Sequence, residues 1–134
     1  MGKVSNRAFL EVEFKGEEGT GLGPTLEFFN LVSKEIKAYK TPTTGIQIWR
    51  AGMQDNTLYP SPINLVSINL DDDLQRIYDV FRLTGMMIAK SISDDRLIEL
   101  PLSPVFWDLV LGKKMNIFDL ERLDPNIFMV FADL

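Results

Sequence analysis

The sequence predicts an α+β domain, mainly helical, with a small antiparallel sheet, on three observations. One apolar stripe runs at helical spacing through residues 72 to 92. A second follows Pro24. A short stretch near residues 9 to 14 alternates apolar and polar side chains at period two, which is the signature of a half-buried strand.

The first element is Leu10-Glu11-Val12-Glu13-Phe14, expected as a strand that pairs with a second one near residues 46 to 50, where Ile46-Gln47-Ile48-Trp49 is the apolar piece. Gly16, Gly19, Gly21 and Gly23 then mark a loop. Pro24 suits a first helical position, because its fixed φ and missing donor cost nothing there. The helix that follows buries Leu26, Phe29, Val32 and Ile36 and ends between Ala38 and Thr41, since Thr41-Pro42 disfavours helical backbone. Residues 42 to 70 read as turns around the short strand. Asp71-Asp72-Asp73 opens the long helix, its carboxylates complementing the positive end of the helix dipole, and Leu74, Ile77, Phe81, Ile88 and Ile92 form its stripe. Ser103-Pro104 caps a helix carrying Val105, Phe106, Leu109 and Val110, with Gly112 as its stop. Asp124-Pro125 opens a last helix whose Ile127, Phe128, Val130, Phe131 and Leu134 cover most of its circumference. A helix apolar nearly all round expects cover from several sides, so the reading here is a chain cut inside a larger domain, the alternative being a domain with a buried terminal helix.

Composition narrows the chemistry. The 134 residues are 46% hydrophobic and 25% charged, in the range of a globular domain. A net charge of −5 disfavours nucleic acid, which needs clustered Lys and Arg. No apolar run reaches the roughly 18 residues of a membrane span, and the polar start carries no secretory h-region, so a cytoplasmic or nuclear location is expected. Zero Cys and zero His remove thiolate nucleophiles, imidazole bases, disulfides and the common zinc sites.

The remaining candidates have bland explanations. Gly19-Thr20-Gly21-Leu22-Gly23 lies between strand and helix like a dinucleotide turn, but Pro24 stands where the fingerprint needs glycine, and Glu17 and Glu18 would repel a pyrophosphate. Glu17, Glu18 and Glu27 have no spacing that demands acid-base work, and Glu27 is expected in a first helical turn. Asp71 to Asp73 lack the alternating ligands and glycine of a calcium loop and read as a solvated helix start. Asp94-Asp95-Arg96 reads as a helix exit with weak local ion pairing. Trp107 is expected in core or half-buried packing. Trp49 and Tyr59 fall in the turn-rich region where binding residues concentrate.

Three blocks together carry a resemblance. The run from Leu10 through Gly16-Glu17-Glu18-Gly19 and Gly21-Leu22-Gly23-Pro24-Thr25-Leu26-Glu27-Phe28-Phe29 resembles the opening of a HECT domain, in the form of the branch that handles ubiquitin-fusion substrates. Phe81-Arg82, Gly85, Ala89-Lys90 and then Asp95-Arg96-Leu97-Ile98-Glu99-Leu100-Pro101-Leu102 are similar to the family's second block. Leu120 through Asp124-Pro125 is similar to its third. Residues 40 to 70 match only at Leu58-Tyr59-Pro60-Ser61-Pro62.

The resemblance implies the large subdomain of the HECT amino-terminal lobe across residues 8–134, with residues 1–7 a linker or cloning remnant. It implies a parent ubiquitin-protein transferase that takes ubiquitin from a conjugating enzyme onto a cysteine and passes it to a lysine of a substrate protein. The fragment is then a scaffold, with no catalytic, metal or cofactor-binding residue of its own. Its expected partners are ubiquitin, a ubiquitin-conjugating enzyme engaged through other parts of the parent, and substrate proteins, with neither nucleic acid nor membrane. Trp49, Leu58 and Tyr59 are the expected ubiquitin-contact surface. The alternative is an independent acidic protein-interaction module without catalysis.

Overall fold

A computed structural model describes residues 9–16, 21–53, 55–63 and 72–132. The chain order is α1 (Leu22–Ala38), β1 (Trp49–Ala51), β2 (Leu58–Pro60), α2 (Asp72–Ser93), α3 (Pro104–Val110), α4 (Ile117–Leu123) and α5 (Pro125–Ala132). Helices dominate, as the apolar periodicities require. Two compact units divide the chain: residues 1–38 with 70–99, and residues 39–69 with 100–134.

In the first unit α1 packs on α2. The buried stripe of α1 is Thr25, Phe29, Ser33 and Ile36, and that of α2 is Asp73, Ile77, Thr84, Met87 and Ser91. Small hydroxyl residues thus hold positions the sequence reading gave to larger apolar ones. Leu26 is 39% and Ile92 is 75% exposed. The hydroxyls enter the core without loss because each donates back to its own helix: Ser33 to the Phe29 carbonyl at 2.7 Å, Thr84 to Val80 at 2.8 Å and Ser91 to Ile88 at 2.8 Å.

The exit of α2 is a Schellman motif built without glycine. Asp95 takes φ of 53°, the Arg96 N–H donates to the Ser91 carbonyl at 2.8 Å, and the Asp95 N–H donates to Ile92 at 3.3 Å. Its neighbour Asp94 is more than a solvated helix exit. It is 8% exposed and accepts Lys90 Nζ at 2.9 Å and the Leu10 N–H at 3.0 Å. Asp73 likewise is fully buried and engaged, although Asp72 beside it is solvated as expected.

The expected strand at residues 9–14 is not one. Its side chains alternate between exposed and half-buried, as period two demands. Its backbone donors, however, go to side chains: Leu10 N–H to Asp94 and Val12 N–H to Thr25 Oγ1 at 3.1 Å. No ladder partner remains for it among the described residues, and β1 pairs instead with β2. Helix α1 starts at Leu22, two residues before Pro24, so Glu27 is exposed beyond the first turn. The glycine loop behaves as its composition suggests at Gly21, whose φ of 113° suits a residue without Cβ. Residues 1–7, Glu17, Glu18, Gly19, Thr20, Asp71 and Leu134 lie outside the described residues.

Candidate functional site

The second unit is organised by the antiparallel hairpin, in register Trp49 with Pro60, Arg50 with Tyr59 and Ala51 with Leu58. Its loop is closed by the Gly52 N–H on the Thr57 carbonyl at 2.7 Å. Asp55 Oδ1 accepts both the Thr57 N–H at 3.0 Å and its hydroxyl at 2.7 Å, an Asx turn that fixes the approach to β2. Those two bonds hold the Asp55 carboxyl below its usual range.

The outer edge of β2 meets the segment before α3. Leu58 N–H donates to the Pro101 carbonyl at 2.7 Å, and Ser103 N–H donates to the Leu58 carbonyl at 2.8 Å. Ser103 then caps α3, its hydroxyl accepting the Phe106 N–H at 3.1 Å, with Pro104 following as first helical residue. This places α3 against β2. Gly112, at φ of 73°, ends that helix through the Lys113 N–H on the Asp108 carbonyl at 2.9 Å and its own N–H on Leu109 at 3.0 Å.

Helix α4 was not foreseen. Its signal is Asn116 followed three residues later by Asp119, a reciprocal capping box in which the Asn116 N–H donates to Asp119 Oδ2 at 2.8 Å. Asp108 on α3 accepts Lys113 Nζ and, at 3.3 Å, Arg122 Nη1 of α4, tying the two helices together. The Lys113 ammonium first, and the Arg122 guanidinium with it, lower the Asp108 carboxyl below its ordinary range against the opposing effect of desolvation.

Between β2, α3 and α4 lies an open apolar groove of about 180 Å³, lined by Tyr59, Pro60, Val105, Phe106, Leu109 and Met115, with Leu123 at its side. Tyr59 and Leu58 are half-buried. Trp49 is wholly buried, with its ring 5.6 Å from Phe106 in an edge-on contact. The three residues expected as one contact surface therefore separate. Trp49 is a floor that positions Phe106, while Tyr59 is the member that reaches the groove. Trp107, expected in core or half-buried packing, is instead 38% exposed, its one aromatic contact being edge-on against Phe106 at 5.6 Å. Sequence reasoning missed Leu109 and Met115, whose exposure follows from the turn at Gly112 and the start of α4.

Helix α5 rests mainly on α4, with the Phe118 and Phe128 rings 6.3 Å apart. None of its residues is buried; Ile127, Met129, Val130 and Phe131 are 47 to 66% exposed. Among the described residues no three His, Cys, Asp or Glu side chains gather as a metal site, and no helix is long and apolar enough to cross a membrane.

This arrangement supplies a shaped apolar surface of the kind suited to protein contact. Comparison with known proteins agrees with the sequence blocks. Residues 30–134 match the family model described as HECT-domain (ubiquitin-transferase). The chain is 33% identical to E3 ubiquitin-protein ligase UPL4 of Arabidopsis thaliana over 97% of its own length and 9% of that protein. It is 31% identical to UPL3 of the same plant, over 97% of this chain and 8% of the relative. Against Ubiquitin fusion degradation protein 4 of Saccharomyces cerevisiae the identity is 33%, over 93% and 8% respectively. These matches include the ubiquitin-fusion-degradation branch that the Gly21-Leu22-Gly23-Pro24 block suggested, and the chain spans less than a tenth of their length. With its three sequence blocks in order and the family model matched over most of its residues, the chain belongs to the HECT-domain family.

Proposed function

We propose that this chain is scaffold from the amino-terminal lobe of a HECT ubiquitin ligase whose catalytic cysteine lies elsewhere in the parent protein. The observation that carries the reading is a HECT match over residues 30–134 in a sequence that contains no Cys. Thioester transfer needs a thiolate, so the chain's part is to hold surfaces against which ubiquitin, a conjugating enzyme and a substrate protein are positioned.

The groove beside Tyr59 is the surface that best fits such a contact. Its lining is apolar, a phenol stands at its side, and the Trp49–Phe106 pair beneath keeps it in shape. In this reading Leu58 and Tyr59 contribute to a weak non-covalent ubiquitin contact, and Trp49 supports it from within. Titration of ubiquitin into the isotope-labelled chain tests the assignment. The expected result is a set of amide shifts concentrated on Tyr59, Leu109 and Met115. Evenly spread shifts, or none at millimolar ubiquitin, would remove the contact while leaving the family membership intact. The complete reading frame of the gene tests the larger statement, which requires a downstream lobe with a cysteine.

A further inference from the structure

The segment Phe9–Phe14 is fastened in an unusual way for a stretch with a strand's side-chain pattern. Among the described residues 9–16 the hydrogen bonds are two: Leu10 N–H to Asp94 Oδ2 at 3.0 Å and Val12 N–H to Thr25 Oγ1 at 3.1 Å. Donors two residues apart leave the same edge of such a segment, so one edge meets one acceptor just past the end of α2 and another in the first turn of α1.

Both acceptors are set in advance. The Thr25 hydroxyl gives its proton to the Gly21 carbonyl at 2.9 Å, which turns its lone pairs toward Val12. Lys90 Nζ occupies Asp94 Oδ1 at 2.9 Å and leaves Oδ2 for Leu10. Apolar attachment is weak by comparison. Leu10, Val12 and Phe14 are half-buried, and Phe9 is 72% exposed at the edge of an open groove shared with Ala89, Ile92 and Ser93.

From this geometry we infer that residues 9–14 form a detachable strap, which opens as one unit from the α1–α2 pair and is latched by Asp94. Few buried apolar contacts and half-exposed hydrogen bonds place such a segment at the low-stability end of a structure. Water can solvate the Asp94 carboxylate, 8% exposed while the latch is closed, once Leu10 lets go, and the segment is then held by the single part-buried Val12–Thr25 bond, too little to keep it in place. Opening also frees the Thr25 oxygen, which connects the strap to the Gly21 turn and the beginning of α1. Tension on the chain ahead of Phe9 would be felt first at Asp94.

Amide hydrogen exchange on the 134-residue chain at neutral pH tests this. Leu10 and Val12 should exchange through one shared opening, far faster than Ile77 and Met87. Asp94→Ala should speed both strap amides by about ten- to a hundredfold, the scale of a hydrogen bond to a charged acceptor, with Ile77 and Met87 unchanged. If Asp94→Ala also exposes the core amides, Thr25→Val decides, because it removes the second acceptor at nearly constant volume and must accelerate Leu10 together with Val12. Acceleration confined to the amide whose own acceptor was removed would mean two independent fastenings and would overturn the strap, as would core-level protection of both amides in the unaltered chain.

Discussion

Trp49 and Trp107 carry the same indole to opposite effect. Trp49 has no exposed surface and meets Phe106 edge-on, so Trp49→Ala leaves a cavity beneath the groove as well as losing transfer energy. Equilibrium urea unfolding should show a loss of about 3–5 kcal/mol. Trp107, 38% exposed, gives up one aromatic contact, and Trp107→Ala should cost roughly 1 kcal/mol. Equal losses would contradict the assignment of Trp49 to the floor. Asp94 shows how a residue read as a helix exit with weak local ion pairing becomes a junction: Lys90 and Arg96 lie close by in sequence, whereas the Leu10 N–H comes from 84 residues away.

At the scale of elements, α2 is long and regular enough that its one internal glycine is a weakness. Gly85 has helical backbone, is exposed, and a Cβ added there meets nothing within 4 Å. Gly85→Ala should therefore raise stability by about 1 kcal/mol, readable as an upward shift of the unfolding midpoint at constant slope. The joints between elements are ionic, and their pH response has a definite sign. Burial opposes the charged form of Asp94, but the Leu10 N–H, Lys90 and Arg96 outweigh it and leave the carboxyl below its ordinary value of 3.8. Asp108 is lowered too, chiefly by Lys113. A carboxyl whose folded pKa is depressed binds fewer protons than its unfolded form. Its stabilisation is complete above 3.8 and is lost as pH falls through the folded value, so urea midpoints should be level near neutrality and decline below about pH 4. Asp94→Asn and Asp108→Asn together should flatten that decline; an unchanged slope would mean other carboxylates govern it.

For the whole molecule, chemistry is bounded by composition. Mixed with activating enzyme, conjugating enzyme, ubiquitin and ATP, this chain should form no adduct that a reducing agent removes. A thioester needs a sulfur that can carry an acyl group, and the Met thioethers cannot. Gel analysis with and without thiol reads the outcome. A labile adduct on this chain would contradict the proposal, whereas a stable adduct on Lys would make the chain a substrate and leave the reasoning in place.

The sequence by itself determined that α1, α2, α3 and α5 exist, although α1 opens two residues ahead of Pro24 and the local capping box of α4 went unread. Pro24, the aspartates before Leu74, Ser103-Pro104 with Gly112, and Asp124-Pro125 act within a turn or two of backbone, where capping and periodicity decide conformation. It also determined the absence of thiol chemistry and the family resemblance. Tertiary structure alone decided which partner each backbone donor found. Residues 9–14 have a strand's alternation, yet Asp94 and Thr25 take the hydrogen bonds that a neighbouring strand would have taken. The same holds for the burial of Trp49 and for the Tyr59 groove. Alternation specifies which side chains turn inward, but pairing depends on groups tens of residues away, and a side chain's exposure depends on what packs over it.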